Sequence, residues 1–337
     1  MKNHLSISCL CIGFLVLWAV IAPSIEAQEA TCAWCGRPIV DRHVMYENRL
    51  YHEACYRDHV ALRCDACGKV ITGQYTVYGG KNYHDSCYRD QAAFRCDLCG
   101  EPVTGDYLTD YWGNRYCAHH EGKAPTCQYC GRFIGSSDSK GGVDYPDGRR
   151  VCNVCSASAV TDIEEAELIL DEVRMRLGKL GIVVILDEIT LHLTDRRHIS
   201  RHYGSDMAGH SGFIEYEFES IGDYVSQQDF DIYILDGMPR MQFIATAAHE
   251  LMHVWQYLNC PLNNDPALSE GSCNYAAVQV LRQIGGPECQ YIIESLNRSV
   301  DPIYGAGYRR VARFAESKGD WTWLEHLKIS KTFPEGY

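Results

Sequence analysis

The sequence predicts a multidomain protein, a row of small metal-stapled fingers followed by an α+β domain built around one long helix. Three observations carry this prediction. Cysteine pairs with a two-residue gap recur through the first half at a nearly constant spacing. Cysteines thin out abruptly after Cys155. Beyond that point ordinary helix and strand patterning takes over, and one helical segment carries His249-Glu250-Leu251-Met252-His253.

The array comes first. Of eighteen cysteines, Cys9 and Cys11 lie near the N-terminus, thirteen fall between Cys32 and Cys155, and only Cys260, Cys273 and Cys289 follow. In order, the pairs are Cys32/Cys35 with His52/Cys55, and Cys64/Cys67 with His84/Cys87. Cys96/Cys99 with Cys117/His120 and Cys127/Cys130 with Cys152/Cys155 complete the set. Each quartet offers two pairs of soft donors, the requirement of tetrahedral structural zinc. A regular repeat of this kind marks a tandem array of one small unit.

Other residues keep step. Gly36, Gly68, Gly100 and Gly131 follow the first pair, where a tight turn around a metal calls for positive φ. Tyr51, Tyr83 and Tyr116 precede the second pair, one aromatic to pack beside each metal. Units this small bury too little apolar surface to fold alone, so the metal supplies the missing stability. A disulfide framework is the alternative, but it leaves the histidines without a role. His119 competes with His120 as a ligand, and the regular two-residue gap favours His120.

The N-terminus reads as a leader. Lys2 and His4 precede an uncharged apolar run from Leu10 to Ala22, and Pro23 and Ile25-Glu26-Ala27 follow. This is the layout of a secretory signal peptide, and the run is short of the ~20 residues of a membrane span. A lysine before the run, with Glu26 and Glu29 after it, favours export of the C-terminal side. The expected organisation is therefore a signal peptide over 1–27, four finger modules over 28–158 and a second domain over 159–337. The expected location is secreted or periplasmic, with an uncleaved membrane anchor as the alternative.

Composition narrows the partners. A chain of 337 residues has room for more than one domain of the usual ~100–150 residues. A net charge of −13 opposes nucleic acid, which demands a basic footprint, and reads as a solvated acidic surface.

In the second domain, Thr161 or Asp162 caps a helix with apolar positions Ile163, Ala166, Leu170, Val173, Leu177 and Leu180, ended by Gly181. Ile182 to Leu186 reads as a buried strand, Phe213, Tyr216 and Phe218 as part of a second, and Asp231 to Leu235 as a third. A long helix then opens near Asp236-Gly237-Met238-Pro239 and stops at Pro261. His249 and His253, four apart, share one face of it, so both imidazoles can reach one metal. Glu250 is carried beside the open side, where it can take a proton from water. Asp265-Pro266 starts the next helix, and Glu270, one turn in, is the expected third ligand, with Asp265 next in line. Asn274 can support a ligand from behind. Tyr304 and Tyr308 are candidates to stabilise an oxyanion. Cys260, Cys273 and Cys289 have no activating base in sequence and read as core.

The run from Tyr233 through Gly237-Met238-Pro239-Arg240 to Ala248-His249-Glu250-Leu251-Met252-His253 resembles the C-terminal peptidase domain of plant organ-size regulators of the DA-one type. Glu270-Gly271 with Cys273, the stretch Tyr304 to Arg309 and the ending Leu324 to Pro334 match as well. The likeness covers most of 160–337 and is best after 231. That family joins LIM fingers to a zinc peptidase, and the array here is similar to LIM fingers of the treble-clef or zinc-ribbon type. Spacing departs from it: a LIM domain separates its two quartets by two residues, whereas eight lie between Cys55 and Cys64. Each unit therefore resembles half of a LIM domain. Plant members also carry ubiquitin-binding segments and act on ubiquitin-pathway proteins. No such segment is seen here, and with export expected that biology is not carried over.

The resemblance and the motif together imply an exported peptidase with a zincin-like metallopeptidase domain, one catalytic zinc and about four structural ones. Glu250 would be the base, His249, His253 and Glu270 the ligands, and the fingers would recruit a protein partner. A secreted binding scaffold with a catalytically silent domain and a zinc amidase acting on a non-protein bond are the alternatives.

Overall fold

A computed structural model describes residues 2–3, 30–135, 141–184, 189–203, 210–221, 224–261 and 264–337. Its contacts divide the chain into two compact units, Met1–Lys123 and Ala124–Tyr337.

The first unit holds three modules of one design. In each, a glycine N–H closes a tight turn onto the carbonyl of the first cysteine, Gly36 on Cys32, Gly68 on Cys64 and Gly100 on Cys96, all at 2.8 Å. The φ values there are 70°, 71° and 77°, a region other residues enter only with strain. A hairpin follows, His43–Tyr46 with Arg49–His52 in the first module, Thr76–Tyr78 with Lys81–Tyr83 in the second, and Tyr107–Thr109 with Arg115–Cys117 in the third. One helical turn then presents the last ligand, in Glu53–Cys55, Asp85–Cys87 and Ala118–His120. Tyr51, Tyr83 and Tyr116 are all buried, as their position before the second pair predicts.

The second unit opens with the fourth module, whose hairpin pairs Gly142–Asp144 with Arg150–Cys152. Fully buried Val151 takes the place that tyrosine holds in the other three. The compact unit thus begins ahead of Ala159 and includes a metal quartet that sequence reading had grouped with the other fingers.

A short strand β1 (Ala159–Val160) leads to helix α1 (Ile163–Gly178). The Asp162 carboxylate caps that helix by accepting from the Glu165 N–H at 3.0 Å. Ala166, Ile169, Leu170, Val173 and Leu177 form its buried face. No strand forms over 182–184, and the rest of that expected strand lies outside the described residues. The sheet is instead made of β2 (Ile189–Thr194), β3 (Gly212–Ile221) and β4 (Tyr224–Leu235), in the order β2-β4-β3. β2 runs parallel to β4 and β3 antiparallel; helix α2 (Arg196–Tyr203) lies between β2 and β3 in the chain. Phe230, Ile232 and Ile234 of β4 are fully buried.

After β4 the chain forms β5 (Met238–Pro239), paired with β1, and then the long helix α3 (Arg240–Asn259). Helices α4 (Pro266–Ile284), α5 (Pro287–Arg298), α6 (Tyr304–Lys318) and α7 (Asp320–Ile329) complete the unit. α4 starts as predicted, with Asp265 accepting from the Ala267 N–H at 2.8 Å and Pro266 in the first turn. α4 meets α6 backbone to backbone. A Cβ on Gly271 would collide with the Gly307 carbonyl group, and one on Gly307 with the Ala267 carbonyl. Only glycine permits this approach, which holds Glu270 and Tyr304 on neighbouring helices.

Gly271→Ala should therefore force the two helices apart at a cost of about 1–3 kcal/mol, the usual range for overpacking. Calorimetry should show the unit melting several degrees lower. An unchanged midpoint would rule out so tight a contact.

Candidate metal centre

Fit to zinc can be judged from donor separations. A tetrahedral ion with bonds of about 2.0–2.3 Å places sulfur and nitrogen donors about 3.3–3.8 Å apart. Cys35 Sγ lies 3.4 Å and Cys55 Sγ 3.9 Å from His52 Nδ1. Cys67 and Cys87 lie 3.5 and 3.8 Å from His84 Nδ1. Cys99 and Cys117 are 4.0 Å apart, and Cys130 and Cys152 are 3.6 Å apart. None of the described cysteines forms a disulfide, whose sulfurs would sit near 2.05 Å. These separations are those of a metal site.

Histidine orientation agrees. His52 and His84 turn Nδ1 to the cysteines and donate from Nε2 to the Pro38 and Val70 carbonyls, at 3.1 and 3.2 Å. The third quartet brings together Cys96, Cys99, Cys117 and His120. The Nε2 atom of His120 is buried without a hydrogen-bond partner. His119 has no place in the cluster. The first thiol of a module is readied for a cation: burial raises Cys32 and Cys64, but backbone N–H donors outweigh it and bring both down to about 6. Cys55 and Cys87 are pushed up to about 11, burial first and the neighbouring sulfurs after it, so metal binding releases protons.

A fifth cluster lies in the second unit. α3 contributes His249 and His253, and α4 returns beside it with Glu270. The two Nε2 atoms are 3.1 Å apart, and Glu270 Oε2 lies 3.0 Å from the first and 3.3 Å from the second. Two imidazoles and one carboxylate at these separations match three corners of a tetrahedral zinc site. Burial alone would raise Glu270, but hydrogen bonds from His249 and His253 outweigh it and hold the carboxyl below the usual range. Asp265, the alternative acid, spends its carboxylate on the start of α4.

Each imidazole is oriented from behind. His249 Nδ1–H donates to Asn274 Oδ1 at 3.0 Å, and Asn274 Nδ2–H donates to the Tyr304 carbonyl at 3.2 Å. His253 Nδ1 lies 3.2 Å from Gln256 Oε1 and 3.3 Å from Cys273 Sγ. Gln256 is fixed in turn by Ser269, whose hydroxyl donates to it at 2.8 Å. Such outer hydrogen bonds set tautomer and ring direction. Asn274 was foreseen in this role, whereas Gln256, Ser269 and Cys273 were not. Gln256 and Cys273 lie three residues beyond His253 and Glu270 on the same helices, and Ser269 is next to Glu270.

Glu250 is 5% exposed, and burial, with the Glu270 charge adding to it, raises its carboxyl above the usual range. Its Oε1 abuts Gly212 of β3, where a Cβ would approach to 2.8 Å. Tyr304 faces the cluster, its ring stacked 6.4 Å from that of His249. Burial, then Glu270 and Glu250, hold its hydroxyl above the usual phenol range. Tyr308 is core. So are Cys273 and Cys289, while Cys260 is half-buried and pushed up to about 12 by burial.

A family model described as LIM domain matches residues 64–125, the second and third quartets taken together. Similar proteins from Arabidopsis thaliana include Protein DA1-related 1, 26% identical, with 90% of this chain and 61% of that protein aligned. Protein DA1 is 24% identical, with 90% and 63% aligned, and Protein DA1-related 2 is 23% identical, with 66% and 54%. The chain spans less than two thirds of the length of these relatives.

This relationship corrects the expectation of export. The relatives are plant DA1-type proteins, and no sign of a signal peptide or of secretion accompanies them. Apart from residues 2–3, the expected leader 1–27 lies outside the described residues. Among those described, no helix is long and apolar enough to cross a membrane. The misreading came from one uncharged apolar run with a lysine before it, a pattern that length and flanking charge alone do not make specific.

Because the alignments run over 90% of the chain and not over the fingers alone, the likeness to the DA1-type proteins extends to both units, with a LIM domain recognised over the second and third quartets.

Proposed function

We propose that the second unit is a zinc-dependent peptidase of zincin-like fold, acting on a protein that the finger modules help to recruit. One observation carries the reading: His249 Nε2, His253 Nε2 and Glu270 Oε2 converge within 3.3 Å, with buried Glu250 on the same helix. Zinc held there would polarise a scissile carbonyl and bring the pKa of water from 15.7 to about 7.

The remaining roles fall to the chain itself. His249, His253 and Glu270 together bring one negative charge, so a bound dication keeps a net positive charge toward substrate. Glu250 accepts the proton of the attacking water and returns it to the leaving amine, and its raised pKa suits both transfers. Tyr304 stays protonated at neutral pH and can donate to the oxygen on which charge develops. Gly212 leaves the space that the Glu250 carboxylate occupies. LIM domains mediate protein interactions, and this is the role proposed for the modules ahead of Lys123.

Metal analysis of the purified protein should give about five zinc ions per chain, four in quartets and one in the helix pair. Glu250→Gln should keep that number and lower turnover of a protein substrate by about 10²–10⁴-fold. His249→Ala, His253→Ala and Glu270→Ala should each lose one zinc along with activity. Asn274→Ala should weaken that zinc by about 10–100-fold without removing it. Fully zinc-loaded wild type that captures partners but cuts no protein would overturn the peptidase reading in favour of a binding scaffold.

A further inference from the structure

We propose that the fourth metal module is a built-in part of the unit carrying His249 and His253, and that Arg149 is the positioning residue through which it sets the start of α3. The chain divides after Lys123, so Cys127, Cys130, Cys152 and Cys155 share one compact unit with α3. All four are buried, whereas Cys35, Cys67 and Cys99 of the other modules are exposed. The module is covered by the rest of its unit: a Cβ on Gly131 would stand 3.2 Å from the Tyr291 hydroxyl of α5.

Arg149 sits at the foot of the strand that delivers Cys152 and is 2% exposed. Its Nε donates to Asp147 at 2.8 Å, its Nη1 to the Tyr129 hydroxyl at 3.1 Å, and the guanidinium lies 4.2 Å over the Tyr145 ring. Nη1 also donates to the Asp236 carbonyl at 2.5 Å. The Tyr145 hydroxyl donates to the next carbonyl, that of Gly237, at 3.3 Å. A side chain on Gly237 would strike the Tyr145 ring, and its φ of 71° also calls for glycine.

Asp236 to Pro239 are the link between β4 and α3. Of the N–H groups here, Asp236 donates to the Thr194 carbonyl of β2 at 2.8 Å, while Gly237 donates to the Val160 carbonyl at 2.9 Å and Arg240, the first residue of α3, to that of Ser158 at 2.8 Å. Ser158 follows three residues after the last cysteine ligand. Pro239 provides no side-chain cap; the helix entry is held by these backbone bonds, by the ion pairs of Arg240 with Glu165 and Glu172 of α1 at 3.0 and 3.4 Å, and by Arg149. His249 stands nine residues further on, about 14 Å along the axis. Over that distance a tilt of about 4° moves the ligand by about 1 Å, enough to cost a misaligned site about 10²-fold. Metal in the fourth quartet shapes the hairpin, the hairpin aims Arg149, and Arg149 fixes the direction of α3.

The turnover part of the test rests on the peptidase reading; the exchange part does not. Arg149→Met, Arg149→Lys and the double variant Cys152→Ser/Cys155→Ser are made in the full chain. Zinc content, backbone hydrogen exchange over 236–246, and kcat and KM on a short unstructured peptide are then measured. Arg149→Met should keep every zinc, speed exchange over 236–246 at least tenfold, and lower kcat about 10–100-fold with KM little changed. Arg149→Lys should recover part of both effects. The double variant should lose the fourth structural zinc and show the same faster exchange. Wild-type exchange and kcat in Arg149→Met would overturn the proposal, as would wild-type exchange in a double variant lacking that zinc. If the double variant does not fold, the methionine and lysine pair decides. If the wild type cuts nothing, the peptidase reading fails and exchange still decides the positioning role.

Discussion

Everything distinctive in the second unit depends on three donor atoms from two helices meeting at one point. Two histidines one turn apart already share a helix face, so α3 supplies its pair through local geometry alone. Glu270 must come from elsewhere in the chain, and its arrival is a matter of packing. α4 must return beside α3 with the right face inward, its start fixed by Asp265 and Pro266. It must also admit α6 at backbone contact through Gly271 and Gly307. A carboxylate between two imidazoles is costly to desolvate unless it is paired. The hydrogen bonds from both rings meet that condition in the polypeptide itself, before any metal is considered.

The finger modules and the helices differ in what holds them together. A module of some thirty residues cannot bury enough apolar surface to offset chain entropy, so donor spacing of 3.4–4.0 Å around one ion stands in for a core. The helical unit has its own core, with Ile169, Val173, Phe230, Ala247 and Leu251 fully buried. The donors in each quartet number four, which closes a coordination shell, whereas α3 and α4 bring three together.

The fingers, the histidine pair, the capped start of α4 and Glu270 were legible because each is written in local spacing. Two-residue gaps, four-residue gaps and an Asp-Pro pair report their geometry without knowledge of the rest of the fold. What was not legible is long-range. Strand β2 reads Ile-Thr-Leu-His-Leu-Thr, an alternating pattern, but the more apolar run just before it, Ile182 to Leu186, carries the stronger strand signal in sequence. Cys273 carries no sign in sequence that it will lie against His253 Nδ1. Gly212 could not be linked to Glu250, since nothing local indicates which strand edge a helix will touch. The apolar N-terminal run misled for the opposite reason: a short pattern was specific in appearance and not in fact, and family relationship rather than geometry corrected it.

The fourth module shows the same limit in its sharpest form. Its cysteines continue the repeat almost in register, so a reading by period groups it with the other three. The differences that assign it elsewhere are small in sequence: valine for tyrosine before the second pair, four cysteines with no histidine, and Arg149 ahead of the last strand. Each has a physical meaning once burial is known. Covered cysteines need no histidine to carry a hydrogen bond outward to an exposed carbonyl. Val151 is fully buried where the other modules bury a tyrosine. An arginine, costly to bury unpaired, is tolerated because Asp147, Tyr129 and the Asp236 carbonyl surround it. The repeat in sequence therefore records the shared metal chemistry of the modules. Which of them became scaffolding for the helix of His249 and His253 was decided by the residues where the repeat breaks.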